Sequence, residues 1–172
     1  MNTFNTNKEI AKCIYEYLKR DYKNESWLVY VLNYDKSHSA IWSKKGNYVY
    51  ISLTFMKIGQ KYRVVILKVE DDNKILIDKS YTAVSTPCKS IKTIEDNSEI
   101  MKTLVLSIAE SYCFNSKIDI LNSQDWLKAN ASKYDLYEYW QVCKFSEGAV
   151  YGDYFRNYAA FQYQDLVYLF IC

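Results

Sequence analysis

Histidine, the residue type most often used for proton transfer near neutral pH, is scarce in this chain. The chain has one histidine, His38, in the polar stretch DKSHSA beside Ser37 and Ser39. A serine–histidine–acid triad needs the nucleophile and the base to meet across the fold, and neighbours in sequence rarely reach that geometry. A solvated histidine in a turn is the simpler interpretation, and no catalytic residue is assigned.

Acidic residues offer a second possible chemistry in the stretch VEDDNK, residues 69–74, which groups Glu70, Asp71 and Asp72 with Lys74. Acids with a lysine could hold Mg²⁺ and activate water in a metal-dependent nuclease. Acidic residues and asparagine between two apolar runs are also what a hairpin turn prefers. The turn is favoured, and a nuclease-like enzyme is the third hypothesis of function.

The motifs of the common cofactors are absent from the sequence. No close pair of cysteines or histidines has the spacing of a structural zinc site. The four glycines are too few and too far apart to form a phosphate-binding loop. The sequence therefore predicts no cofactor and no metal site, and an enzyme is not the expected class.

Aromatic rings crowd the C-terminal part of the chain. Residues 134–172 contain eight Tyr, one Trp and four Phe, with five acids against Lys144 and Arg156. In YDLYEYWQVCKF, residues 134–145, a helix would turn Tyr139 and Trp140 inward, whereas a strand would place them on opposite faces. The helix separates the two faces more cleanly, and GDYFRNYAAF predicts another helix that begins near Asp153.

The outward residues of these two predicted helices combine tyrosine with amides and one arginine. That composition is typical of protein-binding surfaces, because rigid rings give contact area at low entropic cost. The predicted partner-binding residues are Tyr134, Tyr137, Gln141, Tyr154, Arg156 and Asn157.

Charge divides the chain into two halves of opposite sign. Residues 1–92 carry a balance of +7 and residues 93–172 a balance of −5. A basic sheet could neutralise phosphates and stack bases on rings, and the candidate rings are Tyr30, Tyr34, Tyr48, Tyr50 and Tyr62. Only three arginines are available against 19 lysines, and many of the lysines lie in predicted turns. Nucleic-acid binding is therefore the alternative hypothesis.

Periodicity predicts the elements that would position these residues. Ile10, Cys13, Ile14, Tyr17 and Leu18 form a helical stripe, and Thr6 with Glu9 forms a capping box, so a helix is expected near 7–22. Five short β-rich runs follow between Trp27 and Val84, and their short separators predict an antiparallel meander of four or five strands. Helices are expected near 97–114 and at 123–127, and DLVYLFIC is expected to return as a strand to the main sheet.

A length of 172 residues with few glycines and one proline predicts a single α+β domain over 1–172. In it the N-terminal helix packs on the meander, with further helices and a C-terminal strand. No secretory signal or membrane span is expected, and the odd number of cysteines favours a cytoplasmic location. The leading hypothesis is a small factor that binds another protein stoichiometrically, such as an inhibitor or an immunity or accessory protein of a mobile element. The oligomeric state is left open.

Overall fold

The computed structural model describes residues 6–43, 50–57, 59–69, 75–85, 88–96, 139–154 and 157–171, together with residue 103. Within them the chain forms one helix, α1 (Asn7–Asp21), followed by ten strands. The strands are β1 (Ser26–Asn33), β2 (His38–Ser43), β3 (Tyr50–Lys57), β4 (Gln60–Val69), β5 (Ile75–Thr82), β6 (Cys88–Asp96), β7 (Tyr139–Phe145), β8 (Glu147–Tyr154), β9 (Tyr158–Gln164) and β10 (Leu166–Ile171).

Helix α1 confirms the prediction for residues 7–22, and its start shows why the sequence signal was strong. The Thr6 hydroxyl accepts a hydrogen bond from the Glu9 N–H at 3.2 Å, and the Glu9 carboxylate accepts one from the Thr6 N–H at 3.0 Å. This reciprocal pair satisfies two amide groups that the first turn leaves without helical partners. Lys19 and Arg20 lie in the last turn, where positive charge is favourable.

The first sheet has the strand order β3-β4-β1-β8-β5 and packs one face against α1. Strand β1 is antiparallel to both β4 and β8, so it lies at the centre of the sheet. The hydrophobic core between α1 and this face is formed by Ile10, Ala11, Trp27, Val29, Val31, Tyr62, Val64 and Ile66. The alternate residues of β1 are buried as well, so β1 is apolar on both faces.

Gly152 in β8 explains how that strand comes so close to β1. Its φ is +136°, a conformation that only glycine adopts without strain, and a Cβ there would collide with the Trp27 carbonyl oxygen. The glycine is therefore required by the approach of the two backbones.

The second sheet has the strand order β2-β7-β10-β9-β6. Phe161 of β9 stacks on Tyr168 and Phe170 of the neighbouring β10, with ring centroids 5.1 and 5.6 Å apart. The buried Gln162 exchanges hydrogen bonds with the backbone of Val84, accepting from its N–H at 3.0 Å and donating to its carbonyl at 3.2 Å. This amide thereby holds the segment that enters β6 against β9.

The predicted strands between Trp27 and Val84 are confirmed, but their arrangement as one meander is wrong. Among the five strands β1 to β5, only β3 and β4 are neighbours both in sequence and in the sheet, whereas β1 pairs with β8, and β2 belongs to the second sheet. The C-terminal strand β10 is also confirmed, but it pairs with β9 and does not return to the sheet of β1. Strand β6 was not predicted.

The further helices are not borne out in the described part of the chain. Residues 139–145 form β7 and not the end of a helix, and β8 and β9 occupy the stretch in which a helix was expected to begin near Asp153. The helices expected near 97–114 and at 123–127 lie outside the described residues, apart from Thr103. In the described ranges no helix is both long and apolar enough to cross a membrane.

The chain is distributed over two compact units, each assembled from three separate segments. The first contains Met1–Ser37, Asn47–Thr82 and Phe145–Phe155, and therefore α1 with the first sheet. The second contains His38–Gly46, Ala83–Lys144 and Arg156–Cys172. The prediction of a single domain over 1–172 stays a prediction.

Candidate functional site: exposed rings and cations of the first unit

The predicted partner-binding residues are only partly within the described chain. Tyr134, Tyr137 and Arg156 lie outside it. Tyr154 is the last residue of β8, opposite Ile75 of β5, and Asn157 is half-buried directly before β9. Their role in binding a partner stays a prediction.

Gln141 does not have the outward position that was predicted for it. It lies in β7 opposite Ile41, and its residue surface is only 4% exposed. Because Val142, Cys143 and Phe145 are buried too, both faces of this strand are covered. A helical face that leaves Gln141 in solvent is therefore wrong, and its polar side chain belongs to the interior.

Asp153 is a structural anchor in the acidic C-terminal part of the chain. Its carboxylate accepts hydrogen bonds from the Tyr15 hydroxyl and from the Trp27 N–H, both at 3.2 Å. Burial, together with the charge of Asp153, raises the pKa of Tyr15 to about 12. The tyrosine therefore stays protonated and donates to the carboxylate at neutral pH.

The rings proposed for a basic, base-stacking sheet are mostly unsuited to that role. Tyr30 and Tyr62 are 1% and 6% exposed, and Tyr62 packs in the core under α1. Tyr48 and the side chain of Tyr50 lie outside the described part. Tyr34 is different, since it is half-buried at the end of β1 and carries cations on its ring.

We call Tyr34, Lys61 and Arg63 the basic ring cluster. Lys61 Nζ lies 3.7 Å from the centroid of the Tyr34 ring, and Arg63 Cζ lies 5.1 Å from the same centroid. The Tyr34 N–H donates to the Lys61 carbonyl at 3.0 Å, which holds the Tyr34 backbone beside this part of β4. Each contact is within the range of a cation–π interaction.

A second exposed group, which we call the helix-end patch, consists of Tyr17, Arg20 and Tyr22. Tyr17 and Tyr22 are 57% and 53% exposed. Arg20 Cζ lies 4.3 Å above the Tyr17 ring, and the Tyr22 ring packs 5.8 Å from that of the buried Trp27. The sequence placed Tyr17 in the inward stripe of the helix, which is wrong. The spacing of Arg20 three residues later was the signal for an outward pair.

The remaining candidates for chemistry gain no support from the described residues. Glu70, Asp71, Asp72 and Lys74 lie outside them. His38 begins β2 opposite Lys144, directly after the turn that was predicted to contain it. Across the ranges given above, no three His, Cys, Asp or Glu side chains are grouped as metal ligands.

Comparison with known proteins gave no match to a protein-family model and no significant match to a curated protein or to a solved structure. Function is therefore inferred from the surface itself.

Proposed function

We propose that this protein is a stoichiometric binding factor for another protein, and that the helix-end patch contributes to the interface. The observation that carries this proposal is the pair of tyrosines at the end of α1, each more than half exposed, with an arginine on the ring of Tyr17. Tyr and Arg are enriched among the residues that contribute most to protein-binding energy.

Both rings are held in place before any partner binds. Tyr17 is covered on one face by the Arg20 guanidinium, which also forms a 2.9 Å ion pair with Asp21. Tyr22 is supported from below by Trp27, and its N–H closes the helix by donating to the Leu18 carbonyl at 2.7 Å. A surface that is already ordered loses less side-chain entropy on association.

The amino-acid composition of the predicted C-terminal surface also supports a protein-binding function. Its rings Tyr134 and Tyr137 and its polar residues Arg156 and Asn157 have the residue types of an interface. An inhibitor or an immunity or accessory factor would be the expected role for such a binding protein in the cytoplasm.

The test begins with the protein immobilised on a resin and incubated with lysate of its host. The retained partner is identified and purified, and the affinity and stoichiometry of the complex are then measured. We expect one-to-one binding, weakened about tenfold or more by Tyr17→Ala. Leu76→Ala is the matched control, because Leu76 is 56% exposed in the same unit but lies on β5.

The variants Tyr137→Ala and Tyr154→Ala test the C-terminal surface in parallel. Loss of binding in these two with full binding by Tyr17→Ala would place the interface in the C-terminal stretch. A partner retained equally by all the tyrosine variants would contradict both surfaces.

A further inference from the structure

The basic ring cluster brings two positive charges onto one aromatic ring. Lys61 and Arg63 are two residues apart on β4 and so point to the same face of the first sheet, away from the Tyr62 side chain that packs under α1. Lys61 Nζ and Arg63 Cζ both lie close to the centroid of the Tyr34 ring. The distance between these two atoms therefore cannot exceed the sum of their distances to that centroid. Like charges at this separation repel one another.

A buried hydroxyl fixes the orientation of the guanidinium. Ser37 is 1% exposed, and its Oγ donates to the Tyr34 carbonyl at 3.0 Å. The same Oγ accepts the Arg63 Nε–H at 3.1 Å. Since Nε is used inside the protein, the two terminal NH₂ groups of Arg63 are the donors that remain for a ligand.

Two other lysines of the first unit have carboxylate partners. Lys68, on the same strand, pairs with Glu25 at 2.9 Å, and Lys8 pairs with Asp78 at 3.1 Å. Among the described residues, no carboxylate lies within ion-pair distance of Lys61 or Arg63. This includes Asp35, which is exposed in the adjacent turn.

We propose that the basic ring cluster is a binding site for a phosphate group. A phosphate dianion would neutralise both cations together, accepting paired hydrogen bonds from the planar guanidinium and one from the ammonium group. The ring holds the two donors in position before the ligand arrives, which lowers the entropic cost of binding. This goes beyond the proposed protein-binding function and does not depend on it.

The phosphate could be free, part of a nucleotide, or part of a single-stranded nucleic acid. All three present non-bridging phosphate oxygens to Lys61 and Arg63, and a phosphodiester presents two of them with one negative charge. Tyr34 is half-buried and carries both cations on its ring, so a base would stack beside them.

The experiment follows backbone amides and the Arg63 Nε–H by NMR in the ¹⁵N-labelled full chain. Inorganic phosphate, adenosine monophosphate and a short oligothymidylate are titrated at constant ionic strength. We expect shifts centred on Tyr34, Ser37, Lys61 and Arg63, and an affinity about tenfold weaker in Lys61→Gln and in Arg63→Gln. The exposed Lys23 provides the matched control, and Lys23→Gln should retain the affinity.

The source of the phosphate follows from which ligand binds most tightly. Oligothymidylate affinity that falls steeply with salt supports a nucleic-acid backbone, and preference for the mononucleotide supports a nucleotide. Equal binding of all three supports free phosphate. Arg63→Lys keeps the positive charge but loses the paired donors of the guanidinium. It therefore tests the same contact if Arg63→Gln does not fold. Shifts spread away from the cluster, unchanged affinity in Lys61→Gln and Arg63→Lys, or equal shifts with acetate would overturn the proposal.

Discussion

Asp153 connects three elements of the first unit through single hydrogen bonds. It lies in β8, accepts from the Tyr15 hydroxyl of α1, and accepts from the Trp27 N–H of β1. The Tyr15 ring also meets Tyr151 edge-on, with centroids 5.3 Å apart. The contact therefore combines an aromatic pair with a charge-assisted hydrogen bond, and both fix α1 on the sheet.

The raised pKa of Tyr15 makes this contact sensitive to alkaline pH. The pKa is about 12 in the folded protein against 10.0 in a solvated tyrosine. Its contribution to stability is complete below pH 10, and it is lost as the pH rises from 10 to 12, because the unfolded chain releases the proton first. Tyr15→Phe should lower the free energy of unfolding by about 1 kcal/mol at neutral pH, measured by urea denaturation.

The pH dependence of stability distinguishes loss of the Tyr15–Asp153 hydrogen bond from other effects of removing the hydroxyl group. The difference in stability between the wild-type protein and Tyr15→Phe should shrink between pH 10 and pH 12. Tyr22→Phe, which removes an exposed hydroxyl, should follow the wild-type protein over the same window. A constant difference for Tyr15→Phe would contradict the assignment of its pKa.

Individual residues were predictable from sequence where local spacing decided their environment. Thr6 and Glu9 were predicted as a capping box because the motif needs only residues three apart. Gln141 was misplaced because its burial depends on strands distant in sequence. The basic ring cluster was missed as a site for a similar reason, since Tyr34 meets Lys61 and Arg63 through the pairing of β1 with β4.

At the level of elements, β3 is an edge strand of the first sheet. It is eight residues long, and its only charged residue is Lys57 at the end. In the middle of the strand Leu53 is 50% exposed. The opposite edge strand, β5, carries Asp78 and Lys79 and is thereby better protected against pairing with another chain.

Charge in the middle of β3 should therefore reduce self-association. We expect Leu53→Lys to slow aggregation on mild heating, measured by light scattering, because a lysine on an edge strand disfavours pairing with a second strand. Leu76→Lys in β5 is the control, since Leu76 is exposed to a similar extent on an edge that already carries charge. Equal slowing in both variants would indicate a general effect of charge and would contradict a special role for β3.

The sequence period identified the type of α1 and of β5, each of which has one polar face. Helix α1 has a charged face and β5 alternates between exposed and buried residues, so each showed its own period. Strand β9 is buried on both faces, as is the described part of β7. A sequence that is apolar on all sides has no clear period, and the rings of residues 139–145 satisfied a helical pattern equally well.

At the scale of the whole molecule, the segments that form the two units alternate along the chain. The chain passes from one compact unit to the other five times along its length. Strand β7 of the second sheet leads through Ser146 directly into β8, which lies between β1 and β5 in the first. Neither unit is a continuous piece of sequence. The predicted meander, with strands paired in chain order, did not include this alternation.

This connectivity predicts that the two units unfold together. Tryptophan fluorescence and far-UV circular dichroism should give coincident transitions in urea, as in a two-state protein.

Gly152→Ala, which forces a Cβ against the Trp27 carbonyl oxygen, should lower the free energy of unfolding by about 3 kcal/mol. Amide exchange in β9 and β10 should then accelerate by the same factor as exchange in β1, although β9 and β10 belong to the second unit. Unchanged protection of the Phe161 and Leu169 amides in Gly152→Ala would show that the second unit is independently stable, and the prediction of one domain over 1–172 would fail.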